Sequence, residues 1–185
     1  MSVPALPVLF VDRDGTLVEE PADEQVDRLD KVRFMPGVFA ALQRLVSRGY
    51  RLVMVTNQDG LGTPTFPQAD FELVQDFILQ SFASQGITFD EIFVCPHRPA
   101  DGCACRKPDV RHVGDYFQRL NVDRKLSAVV GDRDTDLTLA ENLGLRGLRV
   151  LRDGGPEHTW SAIAHQLLAR RAQLVRETRE TQVRI

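Results

Sequence analysis

The sequence has no excess of basic residues and no long hydrophobic run. Lysine and arginine total 23 against 26 aspartate and glutamate residues, which gives a formal net charge of −3. A protein that binds nucleic acid through a broad basic surface usually has the opposite balance, so we expect no nucleic-acid partner. No apolar stretch approaches the roughly 20 residues of a membrane-spanning helix, so we expect no membrane partner.

The amino terminus also lacks the pattern of a secretion signal. Residues 1–14 contain no basic segment at their start, and Pro4 and Pro7 interrupt their apolar run, unlike a signal peptide. We therefore expect a cytoplasmic location, where reducing conditions disfavour structural disulfides. The chain has only three cysteines, and in a reducing location we expect them to have a role other than disulfide formation.

Five short apolar stretches recur along the chain and alternate with amphipathic segments. The apolar stretches are residues 8–12, 51–57, 91–96, 127–132 and 147–151, and their composition is typical of buried strands. Helical periodicity occurs in residues 36–49, 67–85 and 136–144. This alternation predicts an α/β fold with a mostly parallel sheet and helices on both faces. The polar residues 18–35 predict a loop or small flap over the end of the first strand.

Polar side chains follow several of the predicted strands, where ligands bind in folds of this kind. Asp12 and Asp14 come directly after the first strand, and Asp132 ends a later one. Two neighbouring carboxylates repel each other unless a cation lies between them, and Mg²⁺ prefers oxygen ligands of this type. A solvated D-x-D-G turn is the alternative from this stretch alone.

The order of four motifs resembles that of the haloacid dehalogenase-like phosphohydrolases. These motifs are D-R-D-G-T at 12–16, T-N at 56–57, K-P at 107–108 and G-D-R-D-T-D at 131–136. The resemblance covers roughly residues 8–151 and implies the Rossmann-like fold of that family. It also implies a phosphatase that forms an aspartyl-phosphate intermediate.

The resemblance assigns a role to each motif. Asp12 would be the nucleophile, and Asp14 would act as general acid and then as general base. Thr56 and Lys107 would hold the phosphoryl oxygens. The implied Mg²⁺ ligands are Asp12, Asp132 and either the backbone carbonyl or the carboxylate of Asp14. We further expect phosphate or substrate contacts from Arg13, Asn57 and Arg106. Asp136 is left between a supporting role near the site and a helix N-cap.

All three cysteines fall in one polar loop with a histidine. Their spacing is Cys95-x-His97-x5-Cys103-x-Cys105, and three thiolates with one imidazole form a tetrahedral Zn²⁺ ligand set. A strained disulfide between Cys103 and Cys105 and free buried cysteines are the alternatives. The set leaves no open position on the metal, so it predicts a structural zinc ion that shapes the segment carrying Lys107.

Longer stretches of the sequence resemble one group within the family. Residues 10–38, 50–71 and 95–108 are similar to the histidinol-phosphate phosphatase domain of bifunctional histidine-biosynthesis enzymes. The x5 spacing and N-Q-D-G at 57–60 distinguish them from heptose-bisphosphate phosphatases. The resemblance implies Mg²⁺-dependent hydrolysis of L-histidinol phosphate, a small phosphate ester. A heptose-bisphosphate phosphatase is the alternative enzyme, and a zinc-stabilised assembly module is the alternative without catalysis.

The resemblance also divides the chain. Residues 1–165 would form the phosphatase domain, and residues 166–185 would form a tail that resembles the start of a dehydratase domain. The histidine motifs of that second domain do not occur in this sequence, so we expect no dehydratase activity but a fused or separate dehydratase partner. Within the flap, Glu19, Glu20 and Asp23 are candidates to bind the cationic end of the substrate, with a solvated acidic loop as the alternative.

Overall fold

A computed structural model describes residues 5–170, apart from the side chains of residues 112 and 118. Its centre is one five-stranded sheet in which every neighbouring pair of strands is parallel. The strands are β1 (Val8–Val11), β2 (Arg51–Asn57), β3 (Glu91–Cys95), β4 (Ala128–Gly131) and β5 (Arg146–Arg149). They lie in the order β3-β2-β1-β4-β5. The predicted fold class and all five predicted strands are confirmed.

Helices connect the strands. They are α1 (Val38–Val46), α2 (Gln68–Ala83), α3 (Arg111–Arg119) and α4 (Asp134–Leu143). Residues 160–170 are also helical, and 3-10 turns occur at Leu29–Lys31, Pro99–Asp101 and Pro156–His158. Three of the four named helices match the predicted helical patterns. The sequence pattern did not predict α3, because its only apolar residues are Val113, Tyr116 and Phe117.

The side chains of β1 alternate between two hydrophobic cores. Leu9 and Val11 join a core with α1, α2 and the helix at residues 160–170. Val8 and Phe10 join a second core with α3 and α4 on the opposite face of the sheet. Because successive residues of a strand point to opposite faces, both faces of the sheet are covered by helices, as predicted. This arrangement leaves the carboxyl ends of the strands open to form a site.

Residues 18–35 form the predicted flap at the end of β1. Val18 pairs with Phe34 in an isolated antiparallel bridge, and Leu17, Val26 and Met35 are buried in the first core. These contacts anchor a segment that is otherwise polar, and they hold its acidic residues beside the carboxyl end of β1.

The helix at residues 160–170 is tied to the same region. Its Trp160 is buried, and Trp160 Nε1 donates a hydrogen bond of 2.8 Å to the carbonyl oxygen of Thr16. Leu167 also lies in the first core, and the helix runs without a break through residue 170, across the predicted boundary between residues 165 and 166. The predicted tail beyond residue 170 lies outside the described residues. None of the helices within residues 5–170 is both long and apolar enough to cross a membrane.

Candidate active site and metal centres

Acidic side chains from two strand ends converge with one lysine. The carboxylates of Asp12, Asp132 and Asp136 offer oxygens that all lie within 4.8 Å of one another. Lys107, from the loop after β3, places its Nζ 2.5 Å from Asp12 Oδ1 and 2.7 Å from Asp136 Oδ1. The fold therefore brings Asp12, Lys107 and Asp132 together, as the order of the sequence motifs predicted.

Burial strongly affects the protonation of this cluster. It raises the pKa of Asp12 from 3.8 to about 8, because Asp136 adds to the effect and the ammonium of Lys107 only partly opposes it. Burial, and then the neighbouring Asp136, also raise the pKa of Asp132. Burial alone would lower the pKa of Lys107, but the carboxylates of Asp12 and Asp136 raise it overall. Lys107 therefore stays charged, but its single positive charge does not balance the negative charge of the surrounding carboxylates.

A divalent cation fits this imbalance, because three carboxylates face a single ammonium group. Two glycines make the close approach of the carboxylates sterically feasible. A Cβ atom on Gly15 would lie 2.4 Å from Asp132 Oδ2, and one on Gly131 would lie 2.1 Å from Asp136 Cγ. Oxygen ligands at this spacing suit Mg²⁺. Asp136 contacts Lys107 through Oδ1 and accepts the backbone N–H of Arg133 through Oδ2. Because both of its oxygens are engaged, Asp12 and Asp132 are the carboxylates better placed for the metal.

The carboxylate of Asp14 lies outside that cluster. Arg13 Nε donates to Asp14 Oδ1 at 2.8 Å and Arg13 Nη2 donates to Asp14 Oδ2 at 3.0 Å, while Gln58 Nε2 donates to Oδ2 at 2.8 Å. Of the two metal-binding modes considered for Asp14, these contacts favour its backbone carbonyl. They also contradict the prediction that Arg13 contacts the substrate, because its side chain is fully buried behind Asp14.

The end of β2 contributes a hydroxyl and an amide. Thr56 Oγ1 accepts a hydrogen bond of 2.8 Å from Gln58 Nε2, which leaves the hydroxyl hydrogen free to be donated to a phosphoryl oxygen. Asn57 Oδ1 accepts from the backbone N–H of Lys107 at 3.0 Å, and Asn57 Nδ2 donates to the carbonyl of Lys107 at 3.4 Å. Asn57 therefore holds the loop that delivers the lysine.

These groups open onto a cavity of about 200 Å³. Its lining combines two members of the cluster with acidic residues of the flap and two arginines: Asp12, Asp14, Glu20, Asp23, Glu24, Gln25, Thr56, Asn57, Gln58, Asp59, Phe66, Arg106, Lys107, Arg133 and Thr135. Arg106 and Glu20, both predicted to contact the substrate, thus line this cavity. Burial raises the pKa of Glu20, although its partner Arg133 opposes this effect.

Glu19 is placed differently from its neighbour. Its carboxylate pairs with Arg152, and it lines a neighbouring depression, which Glu20 also borders, rather than the cavity. This position contradicts the prediction that Glu19 contacts the substrate. In an irregular flap, adjacent residues point in different directions without a period that the sequence could reveal.

The cysteine loop gathers its four predicted ligands into one cluster. The Sγ atoms of Cys95 and Cys103 are 3.6 Å apart, those of Cys95 and Cys105 are 3.3 Å apart, and His97 Nδ1 is 3.1 Å from Cys105 Sγ. Two thiolates on a tetrahedral ion with bonds of about 2.3 Å would lie roughly 3.8 Å apart. All three cysteines are free, and burial raises the pKa of the Cys95 thiol to about 12. A zinc ion that stabilises the thiolates fits this donor set.

The cysteine loop is joined to the end of β2 by several hydrogen bonds. The carbonyl oxygen of Cys95 accepts from the backbone N–H of Gln58 at 2.7 Å. Arg106 Nη1 donates to the carbonyl oxygen of His97 at 2.9 Å and also pairs with Asp59. The cysteine cluster and the loop that carries Lys107 therefore form one connected unit beside the cavity.

Sequence reasoning missed two participants in this arrangement. Gln58 links Asp14 to Thr56, and Arg133 pairs with Glu20 across the cavity. Gln58 directly follows the T-N motif and Arg133 directly follows Asp132, so proximity to predicted site residues was the available signal.

Comparisons with known proteins agree with this geometry. A family model described as haloacid dehalogenase-like hydrolase matches residues 8–144. A protein named histidine biosynthesis bifunctional protein HisB, from Legionella pneumophila (strain Lens), is 48% identical over 178 residues, which cover 95% of this chain and 49% of that protein. The HisB protein of Xanthomonas campestris pv. campestris (strain B100) is 48% identical over 97% of this chain and 48% of its own length. The chain thus spans about half the length of these curated relatives.

Solved structures give the same family. The D,D-heptose 1,7-bisphosphate phosphatase of B. bronchiseptica, complexed with magnesium and phosphate, has a TM-score of 0.73 and 32% identity, and the match covers 89% of this chain and 99% of that one. The corresponding enzyme from Burkholderia thailandensis has a TM-score of 0.60 and 26% identity, over 88% and 98% of the two chains. With the family model matching most of its length, the chain belongs to the haloacid dehalogenase-like hydrolases.

Proposed function

We propose that the chain is a Mg²⁺-dependent phosphomonoesterase that hydrolyses L-histidinol phosphate to L-histidinol and phosphate. The observation that carries this proposal is the shared cavity of Asp12, Asp14 and Lys107, whose rim is acidic. These three side chains suit phosphoryl transfer, and an acidic rim suits a substrate with a cationic end. The identity of 48% to proteins named HisB over most of this chain supports the same substrate.

In the first step, an Asp12 carboxylate oxygen forms a bond to phosphorus. The bond between phosphorus and the ester oxygen breaks, and Asp14 gives its proton to the leaving alkoxide, which departs as the alcohol. Lys107, whose ammonium already touches Asp12, and Thr56 hold the phosphoryl oxygens while charge shifts onto them. The product of this step is an aspartyl-phosphate at Asp12 and an ionised Asp14.

In the second step, Asp14 accepts a proton from a water molecule. The water oxygen forms a bond to phosphorus, the acyl-phosphate bond breaks, and Asp12 is regenerated with release of inorganic phosphate. Asp14 ends this step protonated, ready for another turnover. One side chain can serve both steps because it exchanges a proton on the same side of the phosphoryl group each time.

Asp12, Asp132 and the backbone carbonyl of Asp14 would hold Mg²⁺. When bound, the ion would offset the negative charge of the carboxylates and of the transferring phosphoryl group. Asp136 would remain with Lys107, as their separation of 2.7 Å indicates. The cysteine cluster would hold a structural Zn²⁺, and Arg106 would reach the phosphate from the loop that this ion shapes.

The acidic flap gives a reason for the choice of substrate. Histidinol phosphate carries an amine and an imidazole, and Glu20, Asp23 and Glu24 line the side of the cavity formed by the flap. We assign the main contact to Glu20, since its side chain is more buried than that of Asp23 or Glu24. A desolvated carboxylate binds a cationic partner more strongly than an exposed one does.

Phosphate release tests this function directly. We expect turnover of L-histidinol phosphate in Mg²⁺, little turnover without Mg²⁺, and at least about 10-fold lower kcat/KM for D-glycero-D-manno-heptose 1,7-bisphosphate, which corresponds to about 1.4 kcal/mol of discrimination. Asp12→Asn, which removes the nucleophile, serves as the inactive control. Preference for the heptose bisphosphate would support the alternative that the solved structural neighbours suggest, and Asp12→Asn with normal turnover would refute the mechanism.

The division of the longer protein is also a proposal. We assign residues 1–165 to the phosphatase domain, together with the end of the helix up to residue 170, because Leu167 packs in the first core. The following residues up to 185 would form a linker that leads to a dehydratase domain. The HisB relatives are about twice as long as this chain, which supports a fused partner domain. Their description as bifunctional is consistent with one further activity outside the matched half.

A further inference from the structure

Arg13 lies between the two aspartates of the proposed reaction, yet its side chain is fully buried. Burying a guanidinium is costly unless it is paired with a charge and fully hydrogen-bonded. Its carboxylate partner is Asp14, and no part of Arg13 lines the cavity. Arg13 can therefore influence the reaction through Asp14, although it does not reach the substrate.

The guanidinium of Arg13 has a defined orientation. Nε and Nη2 donate to the two oxygens of Asp14 at 2.8 and 3.0 Å, which is the two-pronged geometry that arginine forms and lysine does not. Nη1 donates to Gln75 Oε1 at 3.2 Å, and the ring of Phe71 lies 5.0 Å from the guanidinium carbon. These contacts from α2 hold the fork in one plane, and the fork in turn holds the carboxylate.

Gln58 completes the support of Asp14. Its Oε1 accepts from Arg13 Nη2 at 3.1 Å, and its Nε2 donates to Asp14 Oδ2 and to Thr56 Oγ1, both at 2.8 Å. The two ends of one amide therefore bind the arginine and the carboxylate together. The same amide also fixes Asp14 relative to the hydroxyl that would hold the phosphoryl group.

These hydrogen bonds distinguish the two oxygens of Asp14. A carboxylate has about four acceptor positions. Among residues 5–170, Oδ2 accepts two side-chain hydrogen bonds and Oδ1 accepts one. We propose that Arg13 and Gln58 are positioning residues that reserve Asp14 Oδ1 as the oxygen that gives its proton to the leaving group and later takes one from water. This inference rests on the proposed phosphatase activity.

The leaving group of the substrate provides a test that a purely structural role would not pass. An alkoxide needs a proton as the bond to phosphorus breaks, whereas 4-nitrophenolate leaves without one. We therefore expect Arg13→Met to lower kcat/KM for histidinol phosphate about 100-fold and for 4-nitrophenyl phosphate less than about 3-fold, since general acid catalysis contributes about 10²- to 10⁴-fold. The ratio kcat/KM reports cleavage of the ester bond, so slow hydrolysis of the aspartyl-phosphate does not affect it.

Further variants keep the test informative if Arg13→Met does not fold. Gln58→Leu removes the second support of Asp14 and also a hydrogen bond to Thr56, so both esters should lose activity, with a clearly larger loss for the alkyl ester. Arg13→Lys keeps the charge without the fork and should lose about 10-fold on the alkyl ester alone, because lysine cannot make both hydrogen bonds to the two oxygens of Asp14. Gln80→Leu, the same chemical change at an exposed position of α2, is the matched control and should leave the ratio of the two substrates unchanged.

The outcomes separate this inference from the proposed function. Equal losses on both substrates, or no loss in Arg13→Met and Gln58→Leu, would overturn the positioning role while a fully active wild type upheld the phosphatase. Failure of the wild type to release phosphate from either ester in Mg²⁺ would overturn both. Circular dichroism and thermal melting of each variant confirm that folded protein is compared.

Discussion

Lys107 Nζ lies 2.5 Å from Asp12 Oδ1, and both side chains are buried at the carboxyl edge of the sheet. The lysine also binds Asp136 at 2.7 Å, so one ammonium group joins the proposed nucleophile to the first turn of α4. Its position depends on the loop after β3, which Asn57 holds through the backbone of Lys107. The pair therefore links catalysis, folding stability and the cysteine loop.

Replacement of Lys107 by methionine should reduce both activity and stability. Removing one partner of a buried ion pair leaves an uncompensated charge, which typically costs about 3–5 kcal/mol. We expect the free energy of unfolding in urea to fall by about 3 kcal/mol and phosphate release to become undetectable. Lys125→Met, at an exposed lysine, is the control and should change neither. Normal turnover by Lys107→Met would contradict the role of the ammonium in holding the phosphoryl group.

Loss of a zinc ligand should affect the same two properties. We expect the purified protein to contain about one Zn²⁺ per chain by elemental analysis, since the four ligands form one tetrahedral set. Cys103→Ala should lower the zinc content, the melting temperature and kcat together, because the loop is hydrogen-bonded to the end of β2 and carries Lys107.

The adjacent variant Ala104→Ser is the matched control for that experiment. It changes the same loop but no metal ligand, so zinc content and activity should both be retained. If Cys103→Ala loses zinc yet keeps its melting temperature and activity, the cysteine cluster does not support the active site.

The strands could be predicted from their apolar runs, and the convergence of their ends could be predicted because parallel strands place their carboxyl ends at one edge of the sheet. Buried parallel strands have continuous apolar runs, and the fold then brings Asp12, Thr56 and Asp132 to one edge. Helix α3 was missed because few of its residues are apolar. Its burial comes from Val113 and Tyr116 packing on the sheet, a tertiary contact that local composition does not report.

Side-chain direction was the second limit of the sequence. Arg13 lies within the D-R-D-G-T motif, which suggested contact with phosphate, yet its side chain turns away from the cavity to partners on α2 and the loop after β2. Gln75 is 62 positions further along the chain, so no local pattern could reveal this pairing. A residue inside a motif can thus support the site through its neighbour without facing the cavity.

The stability of the Mg²⁺-free protein should decrease as pH rises. Burial, with a further contribution from Asp136 and against the effect of Lys107, raises the pKa of Asp12 from 3.8 to about 8. The folded state therefore binds this proton more tightly than the unfolded state does. The resulting stabilisation is fully present below about pH 4 and is lost as pH rises through about 8. Melting temperatures measured in Mg²⁺-free buffer test this decrease. The buffer should contain no chelator, because a chelator would also remove zinc.

Addition of Mg²⁺ should reverse that loss. Because the ion binds the ionised carboxylates, the increase in melting temperature that it causes should be larger at pH 8 than at pH 5.5. Asp12→Asn should abolish most of the increase and flatten the pH dependence, whereas Asp153→Asn, at an exposed position, should behave as the wild type. An equal effect of Mg²⁺ at both pH values would place the ion elsewhere.

The contrast between Glu19 and Glu20 allows a test of substrate selection within one flap. Glu20 lines the cavity and Glu19 lies outside it, paired with Arg152. Glu20→Gln should raise KM for histidinol phosphate about 10-fold, since a charge-assisted hydrogen bond contributes about 1.5–3 kcal/mol, with little change in kcat. KM for 4-nitrophenyl phosphate, which has no cationic end, should not rise.

Glu19→Gln is the matched control, because it makes the same chemical change one residue away. Both kinetic constants should stay at their wild-type values in this variant. An unchanged KM in Glu20→Gln would mean that the acidic rim does not contact the amine or the imidazole, and an equal rise in both variants would indicate a general effect of flap charge. Only a rise confined to Glu20→Gln and to the cationic substrate assigns recognition to this carboxylate.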